Sequence, residues 1–349
     1  MGQVAIARQS LPQHNSFANL WFCRKILWPA TASFIKYHHQ LFIKKLAIFL
    51  VMSGKEFFEK RYEKLGWKYR DVNPRQAIRI NVANSEPRDI VERLESRGIE
   101  VEAIPFLENG FWVCNSKLSV GATPEYLLGL YSIQEASAQI PVSLFTEAKH
   151  RIMLDACAAP GGKTVQMADQ MLNTGVLMAL DVEKRRLTAL ANHLERCHVK
   201  NAVVYEMDAR QVSKLNVKFD GVLLDVPCSG NAATDKDWFR RRTIDDVKRN
   251  AELQKEILAE ATKVLKDDGE LIYSTCSLEP EENELNIDWA IKTLGLETEW
   301  IDCYGDEGLI NVFGKELGGS IENCRRIWPG KTQGFFVCKL RKRVARKRN

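Results

Sequence analysis

Two cysteines in distinct short contexts are the residues of this sequence best suited to covalent chemistry. Cys228 lies in Asp225-Val-Pro-Cys228-Ser-Gly230, and Cys276 lies in Ser274-Thr-Cys276-Ser277. A glycine-rich turn, residues 155–164, lies upstream of both. Because a thiolate is a strong nucleophile, two candidate thiols after a turn that could seat a nucleotide-like cofactor predict covalent catalysis on an electrophilic ring. Free cysteines are also among the most buried residue types, so a structural role stays open for each.

Alternation of strands and helices from residue 151 onward predicts the sheet that positions these cysteines. Helical periodicity at 183–198 and 247–265 separates the candidate strands, which are apolar runs at 151–156, 175–180, 202–207, 221–224, 270–274, 296–301 and 334–340. We expect an α/β fold with a mostly parallel sheet covered on both faces. Asp225 follows the fourth strand and Cys276 the fifth, so both side chains are expected over one cleft.

The glycine turn and three acids at predicted strand ends indicate a cofactor site. Gly161 and Gly162 let the backbone approach a ligand, and the helix that follows offers its N-terminus to an anionic group. Asp155, Asp181 and Asp208 each end a strand, where Asp181 suits a ribose and Asp208 suits adenine. The turn is neither a dinucleotide nor a nucleoside-triphosphate motif, so S-adenosylmethionine fits it better. The alternative is that the glycines only make a strand–helix turn.

Charge is distributed unevenly along the 349-residue chain, whose formal net charge is +5. Residues 1–51 and the tail contain Lys and Arg but no acid, which leaves the stretch between them acidic. We interpret residues 1–51 as a basic extension or as the result of a mis-assigned start, with Met52 the true initiator. The apolar run at 46–51 is too short for a membrane span, which needs roughly 20 residues. Attraction to nucleic acid is therefore expected from local patches or the tail.

Cysteine spacing and motif placement predict the compartment and the domains. The nine cysteines form no Cys-x-x-Cys pair and the six histidines supply no ligand spacing, so we expect reduced thiols, no metal and a cytoplasmic location. We predict a small N-terminal α/β module at 52–135, a catalytic domain at 136–340 and a basic tail at 341–349.

The motifs resemble those of the Sun-domain family of RNA cytosine-C5 methyltransferases, over roughly residues 75–340. The matching stretches are 121–126, 134–137, 155–164, 225–230 and 273–284. The resemblance implies a Rossmann-like catalytic domain, S-adenosylmethionine as cofactor, and methyl transfer to carbon 5 of cytosine in tRNA or rRNA. The chain is most similar to the compact archaeal-type tRNA enzymes, since it has no room for the extra domains of some rRNA-directed relatives. We therefore predict tRNA as the substrate, with rRNA as the alternative.

The resemblance also implies a role for each motif residue. Carbon 5 of cytosine is a poor nucleophile until a thiolate adds at carbon 6, and Cys276 is the implied nucleophile. Cys228 is implied to assist loss of the carbon 5 proton and product release, and Asp225 to bond the cytosine edge near N3. Lys163 positions the base or favours the thiolate of Cys276. The implied cofactor contacts are Cys157, Ala158, Ala159, Pro160, Gly161, Gly162, Lys163, Asp181, Arg186, Asp208 and Asp225.

Several arginines are the candidate RNA contacts, and an arginine beside an aromatic residue suits phosphate binding and base stacking. They are Arg75 and Arg79 in the small module, and the stretches 238–242 and 325–328. Residues 339–348 are predicted to be a phosphate-binding arm. The alternative for the arginines of 238–242 is a solvated helix start.

Two other functions remain open. A DNA cytosine methyltransferase uses the cysteine of its Pro-Cys motif as nucleophile, which would leave Cys276 without a role. A catalytically idle RNA-binding assembly factor would not need Cys228, Cys276 and Asp225 together, and all three are present.

Overall fold

The structure is a computed structural model, and it describes residues 53–343. The predicted extension at 1–51 and most of the predicted basic tail lie outside the described residues. Within residues 53–343, no helix combines the length and apolar character needed to cross a membrane. The same range contains no cluster of His, Cys, Asp and Glu side chains that could hold a metal ion.

The N-terminal part contains three helices and a four-stranded antiparallel sheet. The strands run in the order β2-β3-β1-β4. Ile78, Ile80, Ile90 and Leu94 form the centre of its core. The elements are α1 (Lys55–Lys64), β1 (Ala77–Ile80), α2 (Pro87–Ser96), β2 (Ile99–Ala103), β3 (Gly110–Ser116), α3 (Pro124–Leu127) and β4 (Tyr131–Ile133).

Two strands of the small sheet, β2 and β4, have no strand signal in the sequence. Strand β2 is mostly exposed and carries two glutamates, and β4 has only three residues. Neither strand shows the apolar alternation that sequence patterns detect.

The second part is built on one large sheet with helices on both faces. Its elements are α4 (Ala136–Ser143), β5 (Ile152–Asp155), α5 (Gly162–Gln170), β6 (Val176–Asp181), α6 (Lys184–Arg196), β7 (Ala202–Glu206), β8 (Phe219–Asp225), α7 (Trp238–Arg241), α8 (Ile244–Val264), β9 (Leu265–Thr275), α9 (Glu284–Thr293), β10 (Leu296–Glu299), β11 (Asp306–Glu307), β12 (Asn311–Val312), β13 (Lys315–Glu316), β14 (Arg325–Ile327) and β15 (Phe335–Lys342). All seven predicted strands are present.

The large sheet is parallel on one side and antiparallel on the other. Strands β7-β6-β5-β8-β9 are parallel neighbours, as predicted. Strand β15 pairs antiparallel with β9, and β14, β11 and β10 extend that edge antiparallel. The predicted Rossmann-like α/β fold is confirmed, with a mixed sheet. The boundaries predicted between its domains stay predictions.

Helices on opposite faces bury the two layers of the core. Helix α8 packs Ile257 and Leu258 on one face of the sheet. Helices α4 and α5 pack Ile140 and Met167 on the other face. Because helices cover both faces of the sheet, the parallel strands consist of continuous apolar residues. This pattern made them predictable from the sequence.

Arg79 of β1 forms a buried ion pair with Asp169 of α5. Arg79 Nη1 lies 2.9 Å from Asp169 Oδ2, and both side chains are at least 93% buried. The Asp169 carboxylate also accepts the backbone N–H of Ala83 at 2.7 Å. The pair joins the small sheet to the large one, so the predicted RNA contact at Arg79 is wrong: the guanidinium faces Asp169 rather than solvent.

Replacing Asp169 with asparagine is expected to lower the free energy of unfolding by about 3 kcal/mol, because it leaves the Arg79 charge buried without a counter-ion. Urea unfolding of the purified chain measures this change. The matched control is Glu92→Gln, which breaks an exposed ion pair with Arg88 and is expected to change stability by less than about 0.5 kcal/mol. Equal effects of the two substitutions would contradict the assignment.

Candidate active site

Three parallel strands end side by side and bring the predicted site residues together. Asp155 ends β5, Asp225 ends the neighbouring β8, and Cys276 follows the end of β9. Asp225 lies opposite Ser274 in the register of β8 and β9. Strands β6 and β7 are added on one side of β5, whereas β8 and β9 are added on the other side, so the strand order switches between β5 and β8. Ligands of such sheets bind at this switch point, beyond the carboxyl ends of the strands.

The sulfur atoms of Cys228 and Cys276 lie 3.0 Å apart. Both cysteines are free and partly exposed. The hydrogen bond with Cys276, together with burial, raises the pKa of the Cys228 thiol well above its usual range. Either sulfur atom can donate the hydrogen bond between them, and the raised pKa keeps the Cys228 thiol protonated at neutral pH.

Asp225 is held between two donors beside the cysteine pair. Lys163 Nζ lies 2.8 Å from Asp225 Oδ2, and Ser274 Oγ donates to Asp225 Oδ1 at 2.9 Å. Lys163 opens α5 directly after the glycine turn, and its ammonium group also lies over the ring of Phe335. The carboxylate is thus fixed in orientation, and its exposed fraction of 31% leaves it accessible to a substrate.

A cavity of about 210 Å³ opens beside these residues. The glycine turn and Asp155 form one wall, and Asp225 and Lys163, which contact each other, also line the cavity. The resemblance implied seven of its eleven lining residues as cofactor contacts, and Asp155 was expected there as a strand-end acid. The full lining is Ile133, Gln134, Ala138, Asp155, Cys157, Ala158, Ala159, Pro160, Gly162, Lys163 and Asp225.

The walls of this cavity offer a polar ligand a hydrogen-bond acceptor and open space beside the backbone. Asp155 Oδ1 is buried and has no hydrogen-bond partner within the described part of the chain, so it can accept one from a ligand. Gly162 has open space where a side chain would stand. Gly161 has φ +108°, and a Cβ there would lie 2.9 Å from Leu190, so this position requires glycine.

Burial raises the pKa of Asp155 to about 7, although a hydrogen bond from Thr164 opposes the shift. An acid whose pKa is raised on folding binds protons more tightly in the folded state. Stability therefore falls as the pH rises from the unfolded pKa, near 4, through 7.

Relative to an Asp155→Asn variant, the wild-type chain is expected to lose about 3 kcal/mol of unfolding free energy between pH 5 and pH 8. Denaturant unfolding of both proteins at the two pH values measures the difference, from which other titrating groups cancel. A difference between the proteins that is constant with pH would show that Asp155 does not titrate in this range.

Four predicted cofactor contacts, Gly161, Asp181, Arg186 and Asp208, are not among the residues that line the cavity. Asp181 accepts the backbone N–H of Ala159 at 3.2 Å and pairs with Arg186 at 3.1 Å. Asp208 pairs with Arg210 at 2.7 Å, and this contact lowers the pKa of Asp208. In the structure, Asp181 and Arg186 therefore support the glycine turn, and cofactor contacts from Asp181, Arg186 and Asp208 stay predictions.

Most of the candidate RNA contacts have other partners. Arg326 is buried and pairs with Glu284, and Arg325 is buried with its guanidinium 4.0 Å above the ring of Trp300. Arg75 pairs with Glu102 at 3.0 Å. The predicted arm is wrong at its start, because Lys339 lies inside β15 and pairs with buried Glu270.

Helix α7 fits the RNA prediction better. Arg240 and Arg241 are largely exposed, and they lie on the segment that follows Cys228. Their ion pairs with Asp235 and Asp237 are exposed and therefore weak. Trp238 and Phe239 are buried beneath them and are not free to stack on a base.

The sequence reasoning missed three residues of the cavity. Ile133, Gln134 and Ala138 line it from β4 and the start of α4. The stretch 134–137 had been recognised as family-like, but nothing in its residue types indicated that it would face the glycine turn.

Comparisons with known proteins agree with this geometry. Residues 142–341 match the family described as 16S rRNA methyltransferase RsmB/F, and residues 48–136 match the N-terminal domain of 16S rRNA methyltransferase RsmF. A methyltransferase homolog protein from Pyrococcus horikoshii has a similar structure, with a TM-score of 0.76 and 38% identity, over 82% of this chain and 95% of that one.

Two curated relatives have comparable identity but are longer. A human 28S rRNA (cytosine(4447)-C(5))-methyltransferase is 37% identical over 276 residues, which are 76% of this chain and 34% of the relative. A ribosomal RNA small subunit methyltransferase F from Vibrio atlanticus (strain LGP32) is 37% identical over 278 residues, 77% of this chain and 58% of the relative. The chain thus spans between a third and three fifths of these relatives.

The match over 142–341 covers more than half of the chain, and the similarity to the Pyrococcus protein extends over nearly all of that protein. Both confirm the resemblance deduced from the cysteine motifs and the glycine turn. The chain therefore belongs to the RsmB/F methyltransferase family.

Proposed function

We propose that this chain transfers a methyl group from S-adenosylmethionine to carbon 5 of cytosine in RNA, through a covalent bond between Cys276 and carbon 6. The single observation that carries the proposal is the thiol pair of Cys228 and Cys276, 3.0 Å apart beside an oriented Asp225. Membership in the RsmB/F family supports the same chemistry.

The cavity beside the glycine turn is the proposed cofactor site. S-adenosylmethionine, when bound, supplies an electrophilic methyl group. Asp155, with its unpartnered carboxyl oxygen, and the open backbone at Gly162 would hold the polar parts of the cofactor. Lys163 and Asp225 line the same cavity and contact each other, and Ser274, two residues before Cys276, donates to Asp225. These contacts support a cofactor site near the thiols.

Cys276 acts as the nucleophile in this proposal. Its thiolate adds to carbon 6, and the electron pair of the ring double bond then makes carbon 5 nucleophilic enough to take the methyl group. Asp225, fixed by Lys163 and Ser274, bonds the cytosine edge near N3 and stabilises the adduct. A base within a helix must leave the stack before it reaches this cleft.

Cys228 acts in the second half of the reaction. After methylation, carbon 5 carries both the methyl group and its original proton. Loss of that proton restores the double bond and expels Cys276 as a thiolate. Cys228 lies 3.0 Å from Cys276. Once the Cys228 thiol has given its proton to water, its thiolate can take the carbon 5 proton, which leaves Cys228 as a thiol, Cys276 as a thiolate and the RNA free.

Ribosomal RNA is the substrate class that we now propose, with tRNA as the alternative. The prediction of tRNA rested on the absence of extra domains. The curated relatives at 37% identity are named as rRNA methyltransferases, and the small N-terminal part matches the N-terminal domain of a 16S rRNA enzyme. These similarities favour rRNA.

The test is transfer of tritium from methyl-labelled S-adenosylmethionine by the purified chain to deproteinised rRNA and, separately, to total tRNA. Nucleoside analysis of the product is expected to give 5-methylcytidine from rRNA. Label in tRNA alone would keep the chemistry and contradict the substrate class. Label in neither, under conditions where the chain binds RNA, would favour a catalytically idle RNA-binding factor.

A further inference from the structure

The turn between β9 and α9, together with the first residue of α9, contains three buried glutamates that contact different parts of the molecule. Glu279 pairs with Arg61 of α1 at 2.8 Å, and Glu284 pairs with Arg326 of β14. Both are buried ion pairs that join distant elements. Glu282, between them, is completely buried as well, but its hydrogen-bond donors are neutral.

The Glu282 carboxylate receives hydrogen bonds from both segments that contain the thiols. The backbone N–H of Ser229 donates to Oε2 at 2.9 Å, and Ser229 Oγ donates to Oε1. Ser277 Oγ donates to Oε1 at 2.9 Å, and Gln254 Nε2 donates to Oε2 at 2.7 Å. Ser229 directly follows Cys228, and Ser277 directly follows Cys276, so one carboxylate bridges the two segments.

We propose that Glu282 is the positioning residue of the thiol pair: its carboxylate ties the Cys228 segment to the Cys276 segment and so sets the distance between the two sulfur atoms. The inference deepens the proposed function and rests on it only for the kinetic part of its test. Glu282 acts through Ser229 and Ser277 and does not itself touch the reacting atoms.

Two further observations agree with a positioning role. Burial raises the pKa of the Glu282 carboxyl to about 7, while hydrogen bonds from Ser229, Gln254 and Ser277 oppose the shift. Holding a carboxylate there has a cost in folding free energy, which is typical of functional sites. The charge on Glu282 is also a lesser cause, after the Cys276 hydrogen bond and burial, of the raised pKa of Cys228.

Two substitutions at Glu282 separate position from charge. In Glu282→Gln, the amide oxygen can accept from the Ser229 N–H and Gln254, while the amide nitrogen donates to the serine hydroxyls, which can also accept. The bridge is therefore retained without the charge. Glu282→Ala removes the bridge. Ser277→Ala removes one of the hydrogen bonds of the bridge, and it replaces Glu282→Ala in the test if that variant does not fold.

Glu279→Gln is the matched control. It makes the same chemical change in the same turn, at a glutamate that is equally buried. The side chain of Glu279 contacts Arg61 and not the serines beside the thiols.

Capture of phenylarsine oxide measures the thiol pair without any methyl transfer. The arsenic atom forms one bond to each of two neighbouring sulfurs, and its oxygen leaves as water with the two thiol protons. A Cys228→Ala variant gives the background from other cysteines. Relative to wild type, Glu282→Ala is expected to lose capture affinity about tenfold, because the two-point attachment is lost. Ser277→Ala should be intermediate, and Glu282→Gln and Glu279→Gln should match wild type.

Steady-state kinetics supply the second readout. Glu282→Ala is expected to lower kcat about 100-fold, since misplacing a reacting group by about 1 Å has an effect of that size. The KM for S-adenosylmethionine should change by less than about threefold, because Glu282 does not line the cofactor cavity. Glu282→Gln is expected to recover most of kcat.

The inference is overturned if Glu282→Ala or Ser277→Ala captures the arsenical as wild type does, or if Glu282→Gln loses capture as fully as Glu282→Ala. Equal losses in Glu279→Gln would also overturn it, by showing a general loss of structure. If no variant or wild type methylates RNA but capture depends on Glu282 as described, the proposed function fails and the positioning role stands.

Discussion

Replacing Cys276 with alanine abolishes methyl transfer to RNA. The substitution removes the only atom proposed to bond carbon 6, and loss of a catalytic nucleophile lowers kcat by about 10⁴-fold or more. Tritium transfer from labelled S-adenosylmethionine to rRNA measures the loss. Because Cys276 is partly exposed and lies at a strand end, the variant is expected to fold and to bind the cofactor with unchanged affinity.

Cys303→Ala is the matched control for Cys276→Ala. Cys303 is also free and partly buried, but it lies beyond β10 and has no place in the proposed reaction. It should retain wild-type turnover. Full activity in the Cys276→Ala variant would contradict the assignment of the nucleophile, whatever the behaviour of the control.

Replacing Cys228 with alanine causes the chain to accumulate as a covalent complex with RNA. Cys276 can still add to carbon 6 and the methyl group can still be transferred, but removal of the carbon 5 proton and expulsion of the thiolate are slowed. A band of reduced mobility on a denaturing gel, sensitive to nuclease, measures the complex. Turnover is expected to fall by about 10²–10⁴-fold, the usual contribution of a proton-transfer group.

The double substitution Cys228→Ala with Cys276→Ala is the control for the complex. It should give no shifted band, because the bond to RNA forms at Cys276. A band that persists in the double variant would place the bond on another residue. A Cys228→Ala variant with normal turnover and no band would show that Cys228 has no part in product release.

The parts of the site that follow from strand ends were predictable from the sequence. Asp155, Asp225 and Cys276 each come directly after an apolar run, and parallel strands bring their carboxyl ends to one edge of a sheet. The glycine turn was recognisable because a strand–helix turn with this backbone conformation requires glycine at Gly161. These features depend on local pattern and on one rule of sheet topology.

The parts that depend on partners distant in sequence were not predictable. Arg79, Arg325 and Arg326 were expected to face RNA, the last two because they lie beside Trp328. Each instead lies buried against a group from another element, such as Asp169 for Arg79 and Glu284 for Arg326. Sequence pattern gives the charge of a residue but not the residue that neutralises it.

The antiparallel edge and Glu282 illustrate the same limit. Strand β15 was recognised as apolar, but its pairing with β9, which buries Lys339 against Glu270, depends on the return path of the chain. The stretch 273–284 was recognised as a motif, yet its acids had no assigned roles. Only the three-dimensional arrangement shows that Glu282 bridges the segments of Cys228 and Cys276.

Bisulfite sequencing of rRNA and tRNA tests the central claim most directly, because 5-methylcytosine resists conversion to uracil. The comparison is between cells that express the wild-type chain and cells that express only the Cys276→Ala variant. We predict at least one cytosine in rRNA that is protected in the first cells and converted in the second. Identical conversion of every cytosine in both cell lines, in rRNA and in tRNA, would contradict the account.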